Sequence, residues 1–110
     1  MIAATPAPPY FAVIFTSTRT EGDHGYAEMA GQMEELASTR DGFLGIESAR
    51  ADNIGLTISY WRDEHAISAW KADVEHLAAQ RLGRERWYDT YSVRVAKVER
   101  AYDFVSANSV

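Results

Sequence analysis

Gly55-Leu-Thr-Ile-Ser-Tyr-Trp61 runs without a break into Arg62-Asp-Glu-His-Ala-Ile-Ser-Ala-Trp70, and this junction decides the fold. The first stretch alternates with a period of two, as a half-buried strand does. From Arg62 the period lengthens: Ile67, Trp70, Val74 and Leu77 fall on one helical face, with Asp63 as the N-cap. The helical pattern runs to about Trp87. Asp73 offers a second cap after a bend and Gly83 weakens the last turns, so two helical pieces are expected. A strand that feeds a helix directly gathers aromatic side chains around the join, the natural place for a pocket.

Upstream, Phe43 to Arg50 forms a second short run, separated from Gly55 by Ala51-Asp52-Asn53-Ile54. That spacing predicts an antiparallel hairpin. Before it, Tyr26, Met29, Ala30, Met33, Leu36 and Ala37 recur at helical spacing, with Asp23 as N-cap and Arg40-Asp41-Gly42 as the stop. Tyr10 to Ser17 is a first strand and Tyr91 to Val98 a fourth. Pro6, Pro8 and Pro9 hold the leader extended. The chain therefore divides into an extended N-terminal tail over 1–9, one domain over 10–102, and a C-terminal tail over 103–110.

The order βαββαβ predicts an α+β, ferredoxin-like domain with a four-stranded antiparallel sheet and both helices on one face. In the first and fourth strands, apolar residues stand on both sides of the pleat. The face away from the helices is too apolar for water, so two sheets are expected to meet in a homodimer, a dimeric α/β barrel, with Arg94 and Glu47 paired or at the rim.

Composition narrows the function classes. The chain has 110 residues, 46% of them hydrophobic and 12% aromatic, enough for one core without disulfide or metal staples. It has no cysteine, hence no thiolate nucleophile and no thiolate metal site. A net charge of −5 offers no attractive field for phosphate backbones, so nucleic acid is not an expected partner. Neither a signal-like start nor a bilayer-length apolar run is present, so the expectation is a cytoplasmic protein without a membrane partner.

The three histidines do not form a metal set. His65 and His76 are about 16 Å apart on a continuous helix, and His24 starts the other helix. There is no HExxH, no Walker loop, no GxGxxG and no GxSxG, which removes zinc-protease, nucleotide, dinucleotide and serine-hydrolase readings. What remains is aromatic. Trp61, Trp70, Trp87, Tyr88 and Tyr91 could wall one cavity, Tyr60 and Tyr88 carry hydroxyls able to bond a ligand, and His76 is the candidate for proton chemistry. On a straight helix His76 stands about 120° round from Trp70, so the expected bend decides whether it faces the pocket.

Phe11-Ala-Val-Ile-Phe15, Asp41-Gly-Phe-Leu-Gly-Ile-Glu-Ser48, Ser59 to Trp70 and the following His76 resemble the antibiotic biosynthesis monooxygenase (ABM) family over nearly the whole chain. The resemblance implies a pocket between sheet and helices in which some relatives oxidise polycyclic phenols with dioxygen and no cofactor. On that footing His76, Trp70 and Trp61 become catalytic candidates, Tyr60, Phe15 and Tyr88 substrate-binding ones, and a small aromatic molecule the expected ligand. Other relatives bind and cleave haem with an Asn on the first strand, a Trp on the second helix and a His beyond it. Trp70 resembles that Trp, but Tyr10 to Ser17 contains no Asn, and the histidine position falls nearer Gln80 than His76. Haem is thus the lesser alternative, beside a non-catalytic small-molecule-binding or stress-response module.

Overall fold

The structure is a computed structural model that describes residues 2–19, 26–81 and 88–107, with side chains described at 2–18, 31–73 and 90–107. The elements follow the expected order: β1 (Tyr10–Arg19), α1 (Tyr26–Ser38), β2 (Phe43–Ala51), β3 (Ile54–Trp61), α2 (Glu64–Arg81) and β4 (Tyr88–Val98). Asp23 and His24 lie outside the described residues, as do Gly83 and Trp87. The strands form one antiparallel sheet in the order β2-β3-β1-β4, the ferredoxin-like arrangement. Among the described residues no helix is long and apolar enough to cross a membrane.

Two local features make the hairpin and the join. Asp52 takes φ 51° in the two-residue turn between β2 and β3, a left-handed conformation that aspartate tolerates. Asp63 caps α2, accepting the Ala66 N–H on Oδ1 at 2.8 Å. The expected break at Asp73 is absent: α2 is a single helix of 18 residues. Aspartate inside a helix costs only tenths of a kcal/mol, roughly 0.7 at most against alanine, and here its carboxylate is held instead by Arg40 Nε at 2.8 Å. β4 also begins three residues earlier than expected, at Tyr88.

Register sorts the side chains into rows across β4, β1, β3 and β2. On the helix-covered face the rows are Lys97-Phe11-Trp61-Phe43, Val95-Val13-Ser59-Ile46, Val93-Phe15-Thr57-Ser48 and Tyr91-Ser17-Gly55-Arg50. A register shift between Phe43 and Gly45 lets both Phe43 and Ile46 stay on that side. Ala37 of α1 and Ala66 and Ile67 of α2 close over the first two rows, burying Trp61 and Val13 with Phe11, Phe43 and Trp70 at the margin. Small residues let the helices come close. At Gly42, with φ 91°, an added Cβ would stand 2.6 Å from the Cβ of Ala66. The Gly42 carbonyl accepts the Arg62 N–H at 2.8 Å, and Asp41 grips the Arg62 guanidinium at 2.8 and 3.3 Å. The exit of α1 is thereby tied to the entry of α2.

The opposite face carries Ala96-Ala12-Tyr60-Gly45, Arg94-Ile14-Ile58-Glu47 and Ser92-Thr16-Leu56-Ala49. Tyr60 donates its hydroxyl to Glu47 Oε1 at 2.7 Å, and Glu47 Oε2 accepts the Ala3 N–H at 2.8 Å. The leader is laid on the sheet at this point, with Thr5 and Tyr10 hydroxyls 2.9 Å apart. The hydrogen bond from Tyr60 holds the Glu47 carboxyl below its usual range, while burial and the neighbouring carboxylate push the Tyr60 phenol up to about 12. Because the folded pKa lies above the ordinary 10.0, this phenol contributes stability in full below pH 10.0 and loses it as pH rises to about 12. In an alkaline titration followed by phenolate absorbance, Tyr60 should ionise only near pH about 12. Glu47→Gln should bring it down, and an unchanged curve in that variant would dissolve the pairing.

Candidate functional site

Trp61 ends β3 and Trp70 stands on α2, and the strand-to-helix join sets their rings 5.2 Å apart at 34°. Phe43 meets Trp61 edge-on at 5.5 Å and 79°. These three aromatics form the end of the helix-side face nearest the join. The two indoles differ in one respect that bears on chemistry. Trp61 is fully buried, and its Nε1–H donates to Ser59 Oγ at 2.9 Å. Trp70 Nε1 is equally hidden from solvent, yet among the described residues it has no acceptor.

An indole N–H in that position is costly, roughly 1–3 kcal/mol for a buried donor left unmade. It also has a fixed aim, since the ring is wedged against Trp61. Trp70 therefore offers a dry hydrogen-bond donor beside an aromatic wall.

The remaining sequence candidates separate. Phe15 lies on the same sheet face, two rows from Trp61, and stacks on Tyr91 at 5.4 Å and 21°. Tyr60 does not join the cluster: neighbouring strand residues point to opposite faces, so Tyr60 is turned away from Trp61, and Glu47 already accepts its hydroxyl. The backbones of His76 and Tyr88 belong to α2 and β4, while their side chains lie outside the described residues. His65 is exposed on the first turn of α2.

Two depressions lie near the cluster. A groove of about 450 Å³ between α1 and β2 is walled by Gly31, Glu34, Glu35, Ser38, Phe43 and Ile46, and touches the tryptophan cluster through Phe43. A hollow of about 190 Å³ lies among Arg40, Asp41, Arg62, His65, Ala66 and Ala69. The second is a lock of charges. The Arg62 guanidinium holds the Asp41 carboxyl below its ordinary value, and the Ala66 N–H does the same for Asp63. Among the described residues no three His, Cys, Asp or Glu side chains converge to hold a metal ion.

Sequence reasoning missed the groups that decide where the tryptophans differ. Ser59 was not singled out, although it stands two residues before Trp61 and so shares its face. The pairing of Glu47 with Tyr60 was equally unforeseen, though both fall beside the same predicted hairpin.

Comparison with known proteins agrees with this architecture. Residues 9–82 match the family described as antibiotic biosynthesis monooxygenase. The uncharacterized protein YqjZ of Bacillus subtilis (strain 168) is 52% identical over 100 residues, covering 90% of this chain and 88% of YqjZ. Jasmonate monooxygenase ABM of Pyricularia oryzae is 32% identical over 94 residues, covering 80% of this chain but 43% of that longer protein. Among solved structures, SnoaB, a cofactor-independent oxygenase from Streptomyces nogalater, superposes with a TM-score of 0.68 at 14% identity, covering 86% of this chain and 97% of SnoaB. Protein SO0527 of Shewanella oneidensis gives 0.70 at 10% identity, covering 91% and 100%. At such identities the structures speak for the fold alone, while the matched residues establish descent. The chain belongs to the antibiotic biosynthesis monooxygenase family.

Proposed function

We propose that this protein is a cofactor-independent monooxygenase, oxidising a small aromatic or quinol-type substrate with dioxygen between the sheet and the helices. The carrying observation is the buried N–H of Trp70, which meets no acceptor among the described residues, against the ring of Trp61. Family membership supports it, as do the cofactor-independent oxygenase that shares the fold and the monooxygenase related in sequence.

The chemistry asks little of the protein. A phenol or enol that loses a proton becomes an electron-rich anion able to pass one electron to dioxygen. The two radicals then join in a C–O bond, and the resulting hydroperoxide loses water to leave a carbonyl. One oxygen atom ends in product and the other in water, with the substrate as reductant. The protein must stabilise the anion, and a preorganised donor in a dry site does so far better than water. Trp70 fills that role and Trp61 and Phe15 hold the ring system, while the sequence assigns Tyr88 to substrate binding and His76 to taking the proton.

Oxygen uptake with a panel of anthrones and quinols tests this. Trp70→Phe keeps a ring and removes the donor, and should lower kcat/KM by on the order of a hundredfold; His76→Ala should lower it comparably. Unchanged uptake in both variants would remove the assignment. A ligand retained in native mass spectrometry with no turnover of any panel member would point instead to a binding module.

We further infer that the working unit is a homodimer joined through the face away from the helices. Ile54 and Leu56 on that face are 51% and 42% exposed. Its central row, Arg94-Ile14-Ile58-Glu47, carries a cation at one end and an anion at the other, so it complements itself when turned about a two-fold axis. Light scattering on the purified protein should give the mass of two chains, and a stable single chain at micromolar concentration would contradict the interface.

A further inference from the structure

Beyond β4 the chain continues into a segment whose largest side chains no described residue covers. Residues 99–105 belong to no helix or strand, and Tyr102, Phe104 and Val105 keep 94%, 89% and 74% of their surface exposed. Two aromatic rings and a valine gathered in water mark a surface that another body covers. Tyr102 and Phe104 are two residues apart, so in an extended run they point the same way. Arg100 precedes them, exposed and in no ion pair among the described residues.

The groove of about 450 Å³ between α1 and β2 has the matching character. Its floor is Phe43 and Ile46, its rim carries Glu34 and Glu35, and neither carboxylate is in an ion pair among the described residues. α1 has no basic residue in its last turn, so these anions stand near the negative end of the helix with no cation from that turn beside them. Gly31 lowers the same wall: a Cβ there would meet nothing within 4 Å among the described residues. Glycine weakens a helix, and no described contact requires it at this position. A body entering the groove does.

We propose that this groove is the seat of the C-terminal arm of a second copy of the chain, with Tyr102 and Phe104 on Phe43 and Ile46, and Arg100 against Glu34 and Glu35. The proposal rests on the homodimer inferred above and adds where its two chains interlock. The two-fold relation of the row Arg94-Ile14-Ile58-Glu47 sets β4 of one copy over β2 of the other. β4 ends at Val98, one row beyond the row that ends in Gly45 of β2, so the arm starts beside the edge strand of the other copy. The six residues from Val98 to Phe104 span about 20 Å, twice the ~10 Å between packed sheets, which lets the arm round that edge. Within one chain β4 and β2 are opposite edges of the sheet, which sets the arm at the far side from its own groove. Aromatic side chains bury roughly 150–250 Å² each. The four on two exchanged arms therefore supply on the order of 800 Å², a large share of the about 1,200–2,000 Å² of a stable interface. Phe43 also meets Trp61 edge-on, so each arm walls part of the other copy's pocket.

The chain has no cysteine, so introduced ones report contact directly. Ser38→Cys, on the groove wall, and Phe104→Cys are prepared separately, mixed and mildly oxidised. The expected product is a disulfide joining position 38 of one chain to position 104 of the other, identified by peptide mass, in yield far above that from Asn53→Cys mixed with Phe104→Cys. Tyr102→Ser combined with Phe104→Ser should raise the dimer dissociation constant about thirtyfold or more, as the loss of buried aromatic anchors does, with circular dichroism unchanged. Arg100→Glu should weaken the dimer, and Glu34→Lys with Glu35→Lys in the same chain should recover it. A dimer by light scattering whose dissociation constant is unmoved by the double serine variant, or whose mixed chains give no link between 38 and 104, overturns the arm exchange and leaves the homodimer standing. A link confined within one chain, in protein carrying both cysteines, overturns it likewise. A stable single chain removes the homodimer and the arm together, so the two readings fail by different results.

Discussion

The burial of Trp61 is the constraint on which the rest of this domain depends. It is the last residue of β3, it is fully shielded, and its one polar atom is satisfied by Ser59 two residues back on the same strand face. Val13 beside it on β1, Phe43 on β2, Ala37 on α1, and Ala66, Ile67 and Trp70 on α2 pack with it in one cluster. Truncating so large a buried side chain costs about 3–5 kcal/mol, a sizeable part of the ~5–15 kcal/mol that holds a domain folded. The alanines and Gly42 are small because a tryptophan fills the centre, and the Asp41–Arg62 grip fixes the helices at that spacing.

From this packing follows the contrast on which the proposed chemistry rests. Two indoles in contact share one environment, but only the one on the strand has a strand neighbour to accept its proton. The one on the helix is aimed where no described group of the chain meets it. The same face changes character along its length, from tryptophan and phenylalanine under the helices to valine, tyrosine and arginine. The first rows hold the domain together, while Tyr91 and Val93 in the last rows keep much of their surface exposed.

Much of the fold was legible because short-range chemistry wrote it. Asp52-Asn53 between two alternating runs specified the hairpin, and Asp63 before a helical period specified where α2 begins. Asp73 misled for a physical reason: a capping residue is a signal only where the helix has other cause to stop, and Arg40 from the turn after α1 engages it instead. The grouping of Tyr60 with Trp61 failed against the pleat itself, since adjacent strand residues cannot share a face. The pairing of Arg50 with Gly55 was within reach, because the turn residues fix positions 50 and 55 as partners. That no described group accepts the Trp70 N–H was not, as it depends on the angle at which a whole helix lies on the sheet.

The central claim is that Trp70 holds a donor in reserve for a ligand while Trp61 does not. Nitrogen–proton correlation spectra of the two indole groups address it directly. Both signals should exchange slowly with solvent in the free protein, Trp61 at the position of a hydrogen-bonded indole and Trp70 at that of an unbonded one. Saturating anthrone should move the Trp70 signal toward the bonded position and leave Trp61 in place. A Trp70 signal that exchanges rapidly with water, or stays unmoved while the ligand binds, would contradict the account.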